Sequence, residues 1–190
     1  METPIDETTH WRAVAELFGR LLLQEIDGRT IRWLEENGAR EALRDLGLEL
    51  PAPDDTSALE EVAAEHYRAL IRPEDGPPPI QSLVEEGVYE GGAAAGMRAV
   101  AAAAGLDFDA AAARAPVDHL GVQLLLWSEL AGRDAAAAAE FARRHLAWAP
   151  PHLRRTEADG FHAHLKHRTA DLIQEILNTS VRQAAGKDSP

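Results

Sequence analysis

The sequence predicts an all-α protein folded as a single-domain helical bundle. Apolar residues recur at spacings of three and four along several segments, and alanine tracts fill much of the rest. Nowhere does an alternation of period two run long enough to make a sheet. A chain of 190 residues is large enough to bury one core without a metal or disulfide staple, so one domain over residues 1–182 is expected, with 183–190 as a disordered tail.

The elements follow in order. Trp11, Val14, Phe18, Leu21, Leu22 and Ile26 lie on one helical face, and Asp27-Gly28 breaks the pattern. Thr30 is placed to cap a segment carrying Ile31 and Leu34, and Asn37-Gly38 to stop it before Ala39 to Leu46. That middle part reads as one bent helix or two short ones. After the loop at Pro51, Pro53 and Asp54-Asp55, Ser57 and Glu60 stand at capping-box spacing before a helix over about 57–71. From Ile71 to Gly87, Pro73, Gly76 and three consecutive prolines predict an irregular stretch running extended over the surface. Alanine-rich helices then cover Ala93–Ala95, Ala101–Ala104, Ala110–Ala113 and Ala135–Ala139, and Phe161, Leu165, Leu172, Ile173, Ile176 and Leu177 mark a last long helix.

Composition excludes several classes. With no cysteine there is no thiol nucleophile, thiolate zinc site or disulfide framework. The start, METPIDETTH, lacks the basic flank and apolar core of a secretory signal, so the protein is expected in the cytoplasm. Its longest apolar run, Leu120 to Trp127, falls far short of the roughly 20 residues of a membrane-spanning helix. A net charge of -13 disfavours nucleic acid and anionic lipid and favours a cationic partner.

No phosphate loop, dinucleotide fingerprint or serine-hydrolase elbow is present, so no cofactor is expected and enzyme readings start at a disadvantage. The best metal candidate is FHAHLKH. On a helix His162 points about 200° away from His164, so His162, His164 and His167 cannot all face one ion, although a pairing with His145 or His152 stays open. The segment APVDHLGVQLLLWSEL is more informative. Pro116 suits the start of a helix, and the Asp118 carboxylate lies near its unpaired amides, as a cap. The following wheel is apolar nearly all round, which places the helix in the centre of the bundle. Such a helix opening with Asp118 and His119 brings polar groups to the edge of an apolar groove, suited to a chain with both charged and apolar residues.

At these residues the sequence resembles a known family. DHLGVQLLLWSEL followed by FARRHLAWAPPHL, with HYRALIRPEDGPPPIQSLV upstream, is similar to the TorD/DmsD chaperones of molybdoenzymes, over roughly residues 57–177. The chain departs from the family pattern at Ala115, usually acidic, at Leu70-Ile71 in place of Leu-Phe, and at Ser82-Leu83-Val84 in place of Ser-Val-Tyr.

The resemblance implies a TorD-like helical chaperone that binds the twin-arginine leader on the catalytic subunit of a molybdopterin-dependent reductase or dehydrogenase and delays its export until assembly is complete. It implies a leader-binding surface of Asp118, His119, Gln123, Tyr67, Leu70, Pro79 and Ser82, and makes a monomer or a helix-exchanged dimer possible. A carboxylate matches a guanidinium, and Tyr67, Leu70 and Trp127 suit an apolar stretch, although Trp127 and Trp148 on central helices read first as core. Two other readings stand beside it: a helical adaptor of another pathway, and a metal-dependent enzyme using His145, His162, His164 or His167.

Overall fold

A computed structural model describes residues 7–73, 76–106, 115–155 and 159–187. Ten α-helices and no β-strand occur among the described residues: α1 Glu7–Leu23, α2 Gly28–Glu36, α3 Ala39–Asp45, α4 Thr56–His66, α5 Gln81–Glu86, α6 Gly92–Ala103, α7 Leu120–Arg133, α8 Ala135–His145, α9 Ala149–Leu153 and α10 Phe161–Lys187. The Ala110–Ala113 tract and residues 188–190 of the expected tail lie outside the described residues, while Gln183 to Lys187 continue α10.

The apolar face of α1 buries Ala15, Phe18, Leu21 and Leu22, as its spacing requires. The middle part is two helices, separated by Asn37 and a left-handed Gly38. Their caps differ from the expected ones. Asp27, rather than Thr30, caps α2, its Oδ1 accepting from the Thr30 amide at 2.7 Å and the Thr30 hydroxyl at 2.8 Å. Asp55, rather than Ser57, caps α4 by accepting from the Ala58 amide at 3.1 Å. In both places a serine or threonine stood close to an aspartate, and the carboxylate, a stronger acceptor than a hydroxyl, took the orphan amide. Helix α4 passes directly into one π-helical turn, Tyr67–Ile71, so the expected helix over 57–71 is continuous in chain but widens at its end.

One expectation fails outright. The stretch 71–87 does not run extended throughout: Gln81–Glu86 is helical, and Pro79, Ile80, Gln81 and Ser82 are buried. Prolines forbid helix only up to Pro79, and the first turn of α5 is completed by a side chain from elsewhere, described below.

The centre of the molecule is α7. Leu120, Val122, Leu124, Leu126, Trp127 and Leu130 are buried on it, together with Gly121, Gln123 and Ser128. Helix α1 crosses it closely and antiparallel. A Cβ added at Gly19 would lie 2.8 Å from the Gly121 carbonyl oxygen, and one at Gly121 would lie 2.7 Å from that of Gly19. Further along the same pair the Arg12 guanidinium donates to the Ser128 carbonyl at 3.0 Å. Helices α8 and α9 extend the layer from α7, and α10 packs across α8, α9, α1 and the end of α4. No described helix is long and apolar enough to cross a membrane.

Candidate functional site

The entry to α7 is where the sequence concentrates its polar groups, and the structure turns that entry into a junction. His119, not Asp118, is the N-cap of α7: its extended backbone and its Nδ1, accepting from the Gly121 amide at 3.1 Å, close the first turn. Asp118 reaches across to α5. Its Oδ2 accepts from the Ser82 amide at 2.8 Å and from the Ser82 hydroxyl at 2.5 Å, so it caps a helix that has no side-chain cap of its own. The backbone follows the same path. The Gln81 amide donates to the Asp118 carbonyl at 3.1 Å, and the Leu120 amide donates to the Pro79 carbonyl at 2.9 Å, which forms an isolated antiparallel bridge between Ile80 and His119. The proline-rich loop is thereby fastened to the central helix by its own backbone.

One turn further on, Gln123 organises a second buried group. Its Oε1 accepts from the Trp148 indole at 3.1 Å, and its Nε2 donates to Gln81 Oε1 at 2.7 Å. That same oxygen lies 3.1 Å from His145 Nδ1, and Gln81 Nε2 donates in turn to Glu85 and to the Arg144 carbonyl. Four helices or their ends therefore meet through one amide pair. Every polar atom buried here without a partner would cost about 1–3 kcal/mol, so the network specifies a single register of α5 against α7 and α8.

A third junction joins α4 to α10. Glu65 accepts from the amides of Phe161 at 3.1 Å, His162 at 2.6 Å and Ala163 at 3.3 Å, capping the long helix from 96 residues away. Beside it His66 Nδ1 lies 3.2 Å from His162 Nε2, and His162 Nδ1 lies 3.8 Å from Glu65. The carboxylate favours a proton on His162 Nδ1, which makes Nε2 the acceptor and His66 the donor. Burial works against ionised Glu65, but the His162 side chain and the amides of His162 and Ala163 hold its pKa below the ordinary value of 4.5. Burial, and then the neighbouring His162, push His66 down to about 4. His119 is also held at about 4, by burial and by His66 against the opposing pull of Asp118. Burial and then Arg144 bring His145 to about 4, again against Asp118. These three rings are neutral at pH 7.

The seven residues of the expected peptide surface thus have unequal standing. Asp118, His119, Gln123, Leu70, Pro79 and Ser82 are buried, and Asp118 and Gln123 have no accessible surface. Tyr67, on the π-helical turn, is 52 % exposed. Asp118, His119, Pro79, Ser82 and Gln123 are brought together; Leu70 enters the core. Trp127 and Trp148 are core as well. The three histidines of FHAHLKH part company: His162 pairs with His66, His164 lies 3.3 Å from Asp159, and His167 is exposed. No cluster of three or more His, Cys, Asp or Glu able to hold a metal occurs among the described residues.

Glu65, His66 and Gln81 are members of these junctions that the sequence did not single out, and His145 stood out only as a conceivable metal ligand. Their partners lie tens of residues away, and no local spacing marks them. No curated protein and no solved structure gives a significant match. The model of one family, the nitrate reductase delta subunit, matches residues 34–174, a span that holds all three junctions. An all-helical fold with α7 at its centre, and a match over most of its length, make this chain a member of the nitrate reductase delta subunit family, a family of chaperones for molybdoenzyme maturation.

Proposed function

We propose that this protein binds the twin-arginine leader of a molybdenum-cofactor oxidoreductase in the cytoplasm and holds the catalytic subunit back from export while it is assembled. The observation that carries this reading is the family match over 34–174, which encloses the loop, the α7 entry and every residue implied by the sequence resemblance. The net charge of -13 supports it, since a leader presents two guanidinium groups beside an apolar stretch. In this reading Asp118, His119, Gln123, Pro79 and Ser82 act as positioning residues. They hold the loop and α5 in register instead of meeting the peptide, and Tyr67 is the member of the set that a bound peptide reaches directly.

The test is affinity capture of the tagged full-length chain from its native host, followed by mass spectrometry. The expected catch is a molybdoenzyme catalytic subunit bearing an Arg-Arg leader, and deletion of that leader from the client should abolish capture. Undiminished capture of a leaderless client would overturn the leader as the recognised element.

A further inference from the structure

Tyr67 stands on an uncommon kind of turn. The π-helical turn Tyr67–Ile71 closes through the Arg72 amide, which donates to the Tyr67 carbonyl at 2.8 Å, and such single turns occur frequently at functional sites. Two buried residues four positions apart, His66 and Leu70, share its inward face, so Tyr67 and Ile71, each one position later, are turned outward and exposed. The two anchors differ in kind. Leu70 is held by apolar packing, which is non-directional, whereas the His66 ring is held by a directional bond of 3.2 Å to His162 Nε2. Beside it Glu65 accepts from three amides at the start of α10. His66 also lies close enough to the α7 entry for its charge to act on His119. It therefore stands where the turn, α10 and the α7 entry meet.

We propose that Glu65, His66 and His162 are positioning residues of the peptide site: by pinning the end of α4 to the start of α10 they fix the π-helical turn, and Tyr67 on it, relative to the α7 entry. This rests on the reading of the protein as a leader-binding chaperone. The two rings are buried and act on the peptide only through Tyr67. Cutting the bond between them leaves the His66 donor without its acceptor and frees the turn to settle in more than one place, while Leu70 still anchors its other end.

The chain has two tyrosines, so 3-fluorotyrosine labelling of the full chain gives one fluorine resonance at the turn and one internal control at Tyr89, between α5 and α6, assigned with Tyr89→Phe. His162→Leu, which removes the acceptor, should shift and broaden the Tyr67 resonance and leave that of Tyr89 unmoved. It should also weaken the best-binding of a set of fluorescein-labelled Arg-Arg leader peptides from the native host at least fivefold by anisotropy. His162→Gln, whose side-chain oxygen can accept in place of Nε2, should restore the resonance and bring affinity within twofold of the parent. Gly19→Ala, remote from the junction, controls for lost stability and should move neither readout. Should His162→Leu fail to fold, His66→Leu cuts the same bond from the other side and carries the same expectation. An unmoved Tyr67 resonance, an unchanged affinity in a parent-binding leader, or an equal effect of Gly19→Ala would overturn the positioning role and leave the leader reading standing. If no leader binds the parent chain, the leader reading falls and the Tyr67 resonance alone decides whether the junction sets the turn.

Discussion

Asp118 shows how far a residue's role is set by its partners rather than by its neighbours in sequence. From sequence it reads as the cap of the helix it precedes; in the fold it caps α5, and His119 takes the cap of α7. The difference is one of reach. Proximity to the orphan amides of α7 is visible in the chain, but Ser82, 36 positions earlier, is not. Removing the carboxylate leaves the Ser82 amide and hydroxyl unpaired in a buried place. Asp118→Ala should therefore cost about 1.5–3 kcal/mol in urea unfolding, as for a hydrogen bond to a charged group, and Ser82→Ala about 1 kcal/mol. Equal, negligible losses in both would mean that the contact does not hold α5.

The buried histidines give a prediction with a definite sign. His66, His119 and His145 have native values of about 4 against an ordinary 6.5, so below pH 6.5 the unfolded chain binds more protons than the folded one. Their contribution is fully present above pH 6.5 and is lost as pH falls from there toward 4. Glu65 adds to the loss at its lower end, because a carboxylate with a depressed native value stabilises only while ionised. The urea midpoint should fall steadily from pH 7 to pH 5, and replacing His66 by Gln should flatten that slope. A midpoint independent of pH in this window would contradict neutral burial of these rings.

At the scale of elements, periodicity was a reliable guide and capping was not. The apolar spacing of α1 and the all-round burial of α7 were readable because each is a property of consecutive residues. Helix α5 was hidden behind its prolines, and its first turn is stabilised by Asp118 from another segment. The same device recurs with Glu65 on α10 and, locally, with Glu86, whose carboxylate accepts from the amides of Gly92 at 3.0 Å and Ala93 at 3.2 Å. Carboxylates supplied from outside a helix thus define three helix starts, and pattern reading along the chain sees only the nearest.

The α1/α7 crossing is an element-level feature sensitive to mutation. At both glycines a methyl group would stand within 3 Å of a backbone carbonyl oxygen, and at Gly121 the Leu23 side chain stands in the way too. Backbone cannot move aside as a side-chain tip can, so Gly19→Ala and Gly121→Ala should each destabilise by about 1–3 kcal/mol, seen as a drop of several degrees in Tm. The double variant should lose less than the sum, since the first methyl already spreads the helices. Additive losses would show that the two sites do not share one contact.

For the whole molecule, the fold class was legible because a single class satisfied every segment, while the placement of the site was legible only in part. The sequence pointed to the junction at Asp118 and His119, and the family match over 34–174 places that junction inside a maturation chaperone. What it did not reveal is that folding buries the junction, because burial depends on the loop and α5 closing over it through Pro79 and Ser82. Charge at this scale also has a measurable consequence. If a cationic leader is drawn to a chain of net charge -13, its affinity should fall several-fold between about 50 and 300 mM salt as screening shortens the range of attraction. An affinity unmoved by salt would assign recognition to apolar contact alone.

The glycine crossing carries a further consequence, in time instead of space. Gly19 and Gly121 are 102 positions apart in the chain, so α1 leaves the ribosome long before the helix it lies on has been made. At about 5–20 residues per second that interval is on the order of 5–20 s, during which α1 lacks the helix it crosses in the fold. Ribosome-arrested chains of increasing length should show protease protection of α1 only once Arg133 has emerged; protection at shorter lengths would mean that α1 first settles on the α2 to α4 segment.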